Sequence, residues 1–128
     1  MSKTHDLRTL ITAQLGTLSG VAGIYHRMAP RDAAYPYIVF TLEQHALRDL
    51  SRDDIDLCVD VWDRSDNPTV AEGIADAAEA LFNAANLPQT TILPTVFRDN
   101  RYPVEDDDKL LQHIQLHFTV QNYAIPTT

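Results

Sequence analysis

The sequence predicts an α+β domain, with two helices packed on one face of a mixed, mainly antiparallel β-sheet. Three observations carry this. Leu7, Leu10, Ile11, Leu15 and Leu18 recur at the three-and-four spacing of a helical face. Two segments, Ile55–Trp62 and Ile114–Tyr123, alternate apolar and polar residues with the period of a strand. Between them lies a second helix-period stripe that opens at Asn67-Pro68.

The elements follow in order. Residues 4–18 read as an amphipathic helix with Thr4 as N-cap and Gly16 and Ser19-Gly20 at its fraying end. Val21–His26 is a short apolar run suited to a strand, and Arg27–Tyr35, with Pro30 and several charges, a loop. Pro36 opens the strand 37–43, because a proline at a strand's first residue removes no ladder donor. Leu47–Asp54 is charged and reads as a connection or hairpin tip. In Ile55–Trp62, Ile55, Leu57, Val59 and Val61 share one face, with Asp56, Cys58, Asp60 and Trp62 on the other.

The second helix is expected over 68–86, burying Val70, Ile74, Ala77, Ala78, Leu81, Phe82 and Ala85 and ending at Asn86 and Pro88. Thr90–Arg98 reads as an edge or bulged strand because of Pro94. Asp99–Asp108 reads as an acidic loop. In the closing strand, Ile114, Leu116, Phe118 and Val120 face one side, and His113, Gln115, His117, Thr119 and Gln121 the other. The tail from Ala124 to Thr128 is expected to be loose.

The 128 residues suit one domain, 1–128. A chain of this size buries roughly two-thirds of its unfolded surface. The 45% hydrophobic content supplies the core, so no disulfide or metal staple is needed. Cys58 is the single cysteine, which excludes an internal disulfide. Residues 1–18 lack the uninterrupted apolar segment of a signal peptide, and no stretch is apolar enough for a membrane helix; no membrane partner is expected. The net charge of −8 and pI near 4.8 disfavour tight nonspecific binding of nucleic acid, which needs clustered basic residues to displace counterions.

No catalytic or metal centre emerges. His113 and His117 lie four residues apart on one strand face, roughly 13 Å along the backbone and too far to share an ion. With His5, His26 and His45 they read as solvated surface histidines. Glu105–Asp108 lacks the alternating ligands and turn glycine of a calcium loop, and reads as a solvated turn. Asp53, Asp54 and Asp56 invite the same judgement. Cys58 sits between Asp56 and Asp60, which raise a thiol pKa and oppose nucleophilic use. No nucleophile elbow, phosphate loop or dinucleotide fingerprint is present. Trp62 and Tyr123, on polar strand faces, suit packing under a loop or the other helix, or a subunit contact.

Four stretches together span nearly the whole chain: the leading helix with Val21-Ala22-Gly23-Ile24-Tyr25; Ala29-Pro30 with Tyr35-Pro36-Tyr37-Ile38-Val39-Phe40; Leu57–Asp63 running into the helix Val70–Phe82; and the closing strand Ile114–Tyr123. In their order and spacing they resemble the tail terminator, or tail completion, family of long-tailed phages and prophages. The resemblance implies a structural, non-enzymatic virion protein without cofactor. It implies a ring, usually a hexamer, at the tail-head junction, assembled in the host cytoplasm. The ring caps the finished tail tube, meets a head-completion or connector protein, and lets DNA pass through its lumen without specific binding.

For such a ring the sequence offers two oppositely charged loops as subunit interfaces: Arg27 and Arg31 on one, and Glu105, Asp106, Asp107 and Asp108 on the other. Three rival readings remain: another neck or head-completion component, a small protein-binding module, and a small enzyme or ligand-binding domain using an acidic pocket of Asp53, Asp56 and Asp106.

Overall fold

The computed structural model describes residues 3–47, 52–82 and 92–124. Helix α1 (Lys3–Leu15) is followed by β1 (Gly23–His26), β2 (Tyr37–Leu47), β3 (Arg52–Arg64), α2 (Thr69–Leu81), β4 (Ile92–Val104) and β5 (Leu111–Ala124). The strands form one sheet in the order β1-β2-β3-β5-β4. β1 runs parallel to β2, and the other pairings are antiparallel. This is the mixed α+β arrangement expected from the periodicities.

Both helices cover one face of the sheet. Leu7, Leu10, Ile11 and Leu15 of α1 are buried against it, as their spacing dictates, and Leu18 packs on the same core. Facing them are Ile38 and Phe40 of β2, Ile55, Leu57, Val59 and Val61 of β3, and Ile114, Leu116, Phe118 and Val120 of β5. The predicted alternation therefore holds along the buried part of both long strands. α1 begins before Thr4, which lies inside the helix and not at its cap. It stops at Leu15 because the ladder tightens: Gly16 N still donates to Thr12 O at 3.0 Å, but Leu18 N donates to Leu15 O at 3.1 Å. Gly20, at φ 78°, makes the turn towards β1.

The expected cap shifts by one residue: Pro68, not Asn67, is the N-cap of α2 and makes no side-chain cap bond, while Asn67 Oδ1 accepts the Thr69 N–H at 3.1 Å. Pro68 stands one residue before the helix, its carbonyl accepting the Glu72 N–H at 2.8 Å. The buried stripe is rotated from the expected one. Ala71, Ile74, Ala75, Ala78 and Phe82 are inside, whereas Val70 is 49% exposed and Ala77 also faces out. The rotation turns three alanines to the sheet, so the backbone of α2 can approach closely, and leaves bulkier Val70 at the open first turn. Leu81 is half-buried; Ala85, Asn86 and Pro88 lie outside the described residues.

Four strands run further than their sequence patterns suggest. β2 continues to Leu47 through a bulge between Gln44 and Ala46, and β3 begins at Arg52, so most of the expected connection is strand. β4 runs to Val104, so Asp99–Val104 is ladder and not loop. Asp99 is an extra residue in a bulge between Arg98 and Asn100. Pro94 and Pro103 fit because β4 is the sheet's edge. β5 extends through Ala124; the rest of the expected loose tail lies outside the described residues.

The rotation of α2 has a measurable consequence. Ile74→Ala is expected to lower unfolding free energy by about 2–4 kcal/mol, as for other buried truncations, while Val70→Ala changes it by less than about 0.5 kcal/mol. Urea unfolding followed by circular dichroism measures both; equal losses would contradict the buried stripe.

Candidate functional site

The sheet face away from the helices carries the polar residues of the alternation, and they are joined to one another. Tyr37, Trp62 and His113 stand opposite each other on β2, β3 and β5. The indole stacks on the His113 ring at 3.8 Å between centroids and on Tyr37 at 6.4 Å. Tyr25 meets Tyr37 edge-on at 5.9 Å. Its ring lies across Gly23, where a Cβ would come within 2.5 Å of the Tyr25 hydroxyl; only glycine leaves that space. In the next row, His113 Nε2 donates to Asp60 Oδ1 at 2.7 Å, and Gln115 Nε2 donates to the same oxygen at 2.9 Å. His117 Nε2 reaches Gln115 Oε1 at 2.9 Å, and the Tyr102 hydroxyl donates to that oxygen too.

This network corrects the expectation of solvated histidines on β5. The His113 side chain is only 10% exposed, and His117 is tied to Tyr102 and Gln115. The signal was available in part: Asp60, His113 and Gln115 occupy polar positions of two alternating strands, but only their register brings them together. Trp62 packs between Tyr37 and His113 on the sheet itself rather than beneath a loop or helix. Burial alone would raise the Asp60 carboxyl, but bonds from His113 and Gln115, the nearby His113 charge and the Cys58 thiol outweigh it and hold the pKa below the ordinary carboxylate value.

Cys58 shows the reverse. Burial first, then the Asp60 charge 3.7 Å away, push its pKa up to about 12, so the thiolate needed for nucleophilic attack is scarce at neutral pH. Nor does an acidic pocket assemble from Asp53, Asp56 and Asp106. Asp56 pairs with Thr119, whereas Asp106 follows the β4 end that pairs with His113. Six residues of β5 separate those rows, about 20 Å of strand. Among the described residues, no group of three His, Cys, Asp or Glu side chains is placed to hold a metal ion. No helix there is long and apolar enough to cross a membrane.

The two charged loops lie at opposite edges of the sheet. Arg27 directly follows β1, the first edge strand, and Arg31 stands in the crossover to β2; both are exposed. Glu105, Asp106, Asp107 and Asp108 lie in the turn from β4, the other edge strand, to β5, and all four are exposed. Within this turn Asp108 is already engaged: Arg64 Nη1 is 2.7 Å from its carboxylate, and its Oδ1 accepts the Leu110 N–H. The Arg64 bond, then the Leu110 N–H, hold the Asp108 carboxyl below its usual range. Asp106 accepts the Asp108 N–H at 2.9 Å, so these residues shape the turn. The turn closes one wall of a cleft of about 550 Å³, which also includes Pro68, Glu72 and Arg101.

Sequence reasoning missed two cationic groups. The Asp99 bulge turns both Arg98 and Arg101 to the helix side, where both reach Glu79 of α2, at 2.8 and 2.9 Å; Arg101 also meets Asp76 at 2.6 Å. A bulge carries no reliable mark in one sequence, so their shared face could not be read. Arg8 and His26, distant in sequence, line a smaller depression with Arg27 and Leu42.

Asp60→Asn is expected to destabilise the fold by about 1–3 kcal/mol, by weakening the bonds that satisfy His113 and Gln115. A depressed carboxyl pKa stabilises the fold above its unfolded value near 3.8, and that contribution is lost as pH falls through the folded value. The variant's acid unfolding limb should therefore be flatter than the wild type's below pH 4; identical limbs would show that the network does not act on Asp60. Cys58 should react with iodoacetamide at pH 8 far more slowly than the same residue in the urea-unfolded chain.

The comparisons with known proteins fit this account. The sequence matches the family described as tail completion protein gp17 over residues 7–121. No curated protein matches it. A chain from a solved structure titled "Virion of native gene transfer agent (GTA) particle" is similar in fold, with a TM-score of 0.74 at 14% identity, covering 92% of this chain and 95% of that one. A second solved chain superposes with a TM-score of 0.69 at 14% identity, covering 99% of each. At that identity the two structures speak for the fold alone. The family match, spanning nearly all of α1 through β5, assigns the function class: this chain belongs to the tail completion protein gp17 family and is a structural protein of tail assembly.

Proposed function

We propose that this chain forms a closed ring of six subunits that caps the tail tube, ends its polymerisation and offers the joining surface to the head-completion or connector protein. The family match over residues 7–121 carries this reading. The number six and the place at the tail-head junction come from the family resemblance; host cytoplasm is where the ring assembles.

The geometry supports a ring in one respect. Closed rings use heterologous contacts, so each subunit needs two different patches on different sides. Arg27 and Arg31 at the β1 edge and Glu105, Asp106 and Asp107 at the β4–β5 turn are such a pair, of opposite charge. Like-charged edges repel when two copies meet in the same orientation, which favours head-to-tail docking. Asp108 serves the same patch indirectly, through its bond to Arg64. Six chains of charge −8 bring about −48 to the ring, a balance that lets DNA slide through a lumen without adhering.

The test is charge reversal on authentic tails. Arg31→Glu is expected to weaken ring assembly about tenfold, and Asp107→Lys in the same chain to restore part of it. Cryo-microscopy of tails completed with each variant gives ring occupancy and position. Rings that form equally well in both single variants would remove these loops from the interface. Monomers alone on authentic tails, or density inside the connector instead of on the tube end, would refute the terminator reading.

A further inference from the structure

We infer that a cationic pocket between α1 and the β1 edge, formed by Arg8, His26 and Arg27, receives a carboxylate from the acidic turn 105–108 of a second copy of this chain. This rests on the ring reading and names the socket it requires. The pocket exists because β1 is short. It ends at His26, opposite Phe40, while β2 runs on to Leu47. Leu42 therefore has β3 beside it on one side and lies beyond the end of β1 on the other. The step leaves a depression of about 250 Å³ lined by Arg8, His26, Arg27 and Leu42.

Each wall is held in place. His26 packs its ring on Phe40, 5.0 Å between centroids. Arg27 donates its backbone N–H to Phe40 O at 2.9 Å and then turns the chain off the sheet at φ 73°, a left-handed conformation that costs a non-glycine residue energy. Arg8 extends from α1, with Nη2 2.8 Å from His5 Nδ1, an acceptor that brings no negative charge. Among the described residues, neither Arg8 nor Arg27 forms an ion pair, whereas Arg64, Arg98 and Arg101 all do. So a chain of net charge −8 gathers two guanidinium groups and an imidazole around one half-apolar depression that has no carboxylate in its lining among the described residues. Burial, then Arg8, then Arg27 lower the His26 pKa, which reports the same uncompensated positive field.

An anion fills such a pocket, and the observations favour a protein carboxylate over nucleic acid. A phosphate backbone is bound by a track of basic residues, whereas Arg64, Arg98 and Arg101 are committed to Asp108, Glu79 and Asp76. The leucine wall suits the methylenes of Asp or Glu. The acidic turn lies at the opposite edge of the sheet, braced by Arg64 and by Asp106, with Glu105 and Asp107 exposed. One copy's turn entering the next copy's pocket repeats in one direction, as a ring demands. Because Arg8, Arg27, Phe40 and Leu42 surround His26, an entering carboxylate is the group that raises its pKa. Docking therefore takes up a proton and strengthens as pH falls from 8 towards 6, by up to about tenfold for each unit of the rise.

The test uses the full-length chain, kept dilute so that it is monomeric, and a synthetic peptide of residues 103–111. The His26 imidazole is titrated by NMR with and without peptide. The peptide is expected to move the His26 resonances and raise its pKa. The double variant Arg8→Gln/Arg27→Gln, checked for unchanged thermal unfolding, is expected to bind it at least about tenfold more weakly, as is a wild-type chain given a Glu105→Gln/Asp107→Asn peptide. His26→Gln should retain binding but lose its dependence on pH. Unmoved His26 resonances at millimolar peptide, or undiminished binding by the double variant, would overturn the inference. So would a short DNA duplex that shifts His26 where the peptide does not. If rings form on tails with the double variant as with wild type, the pocket is wrong and the ring reading stands. If the peptide fills the pocket but wild-type rings never form on tails, the pocket stands and the ring reading fails.

Discussion

The register between β3 and β5 is the constraint on which the rest of the molecule depends. Pairing from Arg52↔Tyr123 to Arg64↔Leu111 places Leu57 opposite Phe118 and Val59 opposite Leu116 on the helix side. A one-residue slip of β3 would send its buried face to the outside and bring Asp56, Cys58 and Asp60 under the helices. The cost of burying unpaired carboxylates, together with the lost burial of Ile55, Leu57, Val59 and Val61, holds the strand in its register. β2 and β4 then pair on either side, and α1 and α2 close over the face that results.

The edges of this sheet are built differently. β4 carries Pro94, Pro103 and the Asp99 bulge, each of which hinders the addition of a further strand. The bulge also turns Arg98 and Arg101 to Glu79, binding the edge strand to α2. At the other side β1 spans only four residues and leaves β2 uncovered beyond Phe40. An assembly built by side-chain docking at loops and steps, instead of continuous sheet formation, fits such edges. In the proposed ring, the opposite charges of the Arg27–Arg31 loop and of the turn after β4 would set the direction in which one copy meets the next.

The outer face satisfies its own reactive groups. Asp60, His113 and Cys58 are the kinds of residue from which catalytic sites are made, and they lie close together. Yet the carboxylate is spent on His113 and Gln115, the thiol is held protonated by burial and by Asp60, and the imidazole is stacked under Trp62. Mutual satisfaction of polar groups stiffens a sheet face that neither α1 nor α2 covers. A structural part of a tail needs that rigidity more than it needs a reactive group.

Periodicity alone determined the two helices, the alternating strands, the face of α1 that is buried and the α+β class, because apolar spacing is a local property that burial reads directly. The charged loops were recognisable by composition, but their places on opposite edges of the sheet were not. Four features needed the tertiary structure: the rotation of α2 that buries Ala71 and Ala75 and exposes Val70, the continuation of β4 through its bulge, the bonding of Asp60 with His113 and Gln115, and the meeting of Arg8 with His26 and Arg27. Each depends on which residues distant in the chain become neighbours. That is decided by strand order, register and helix packing, which are collective outcomes of the whole core and leave no mark on any single stretch of sequence.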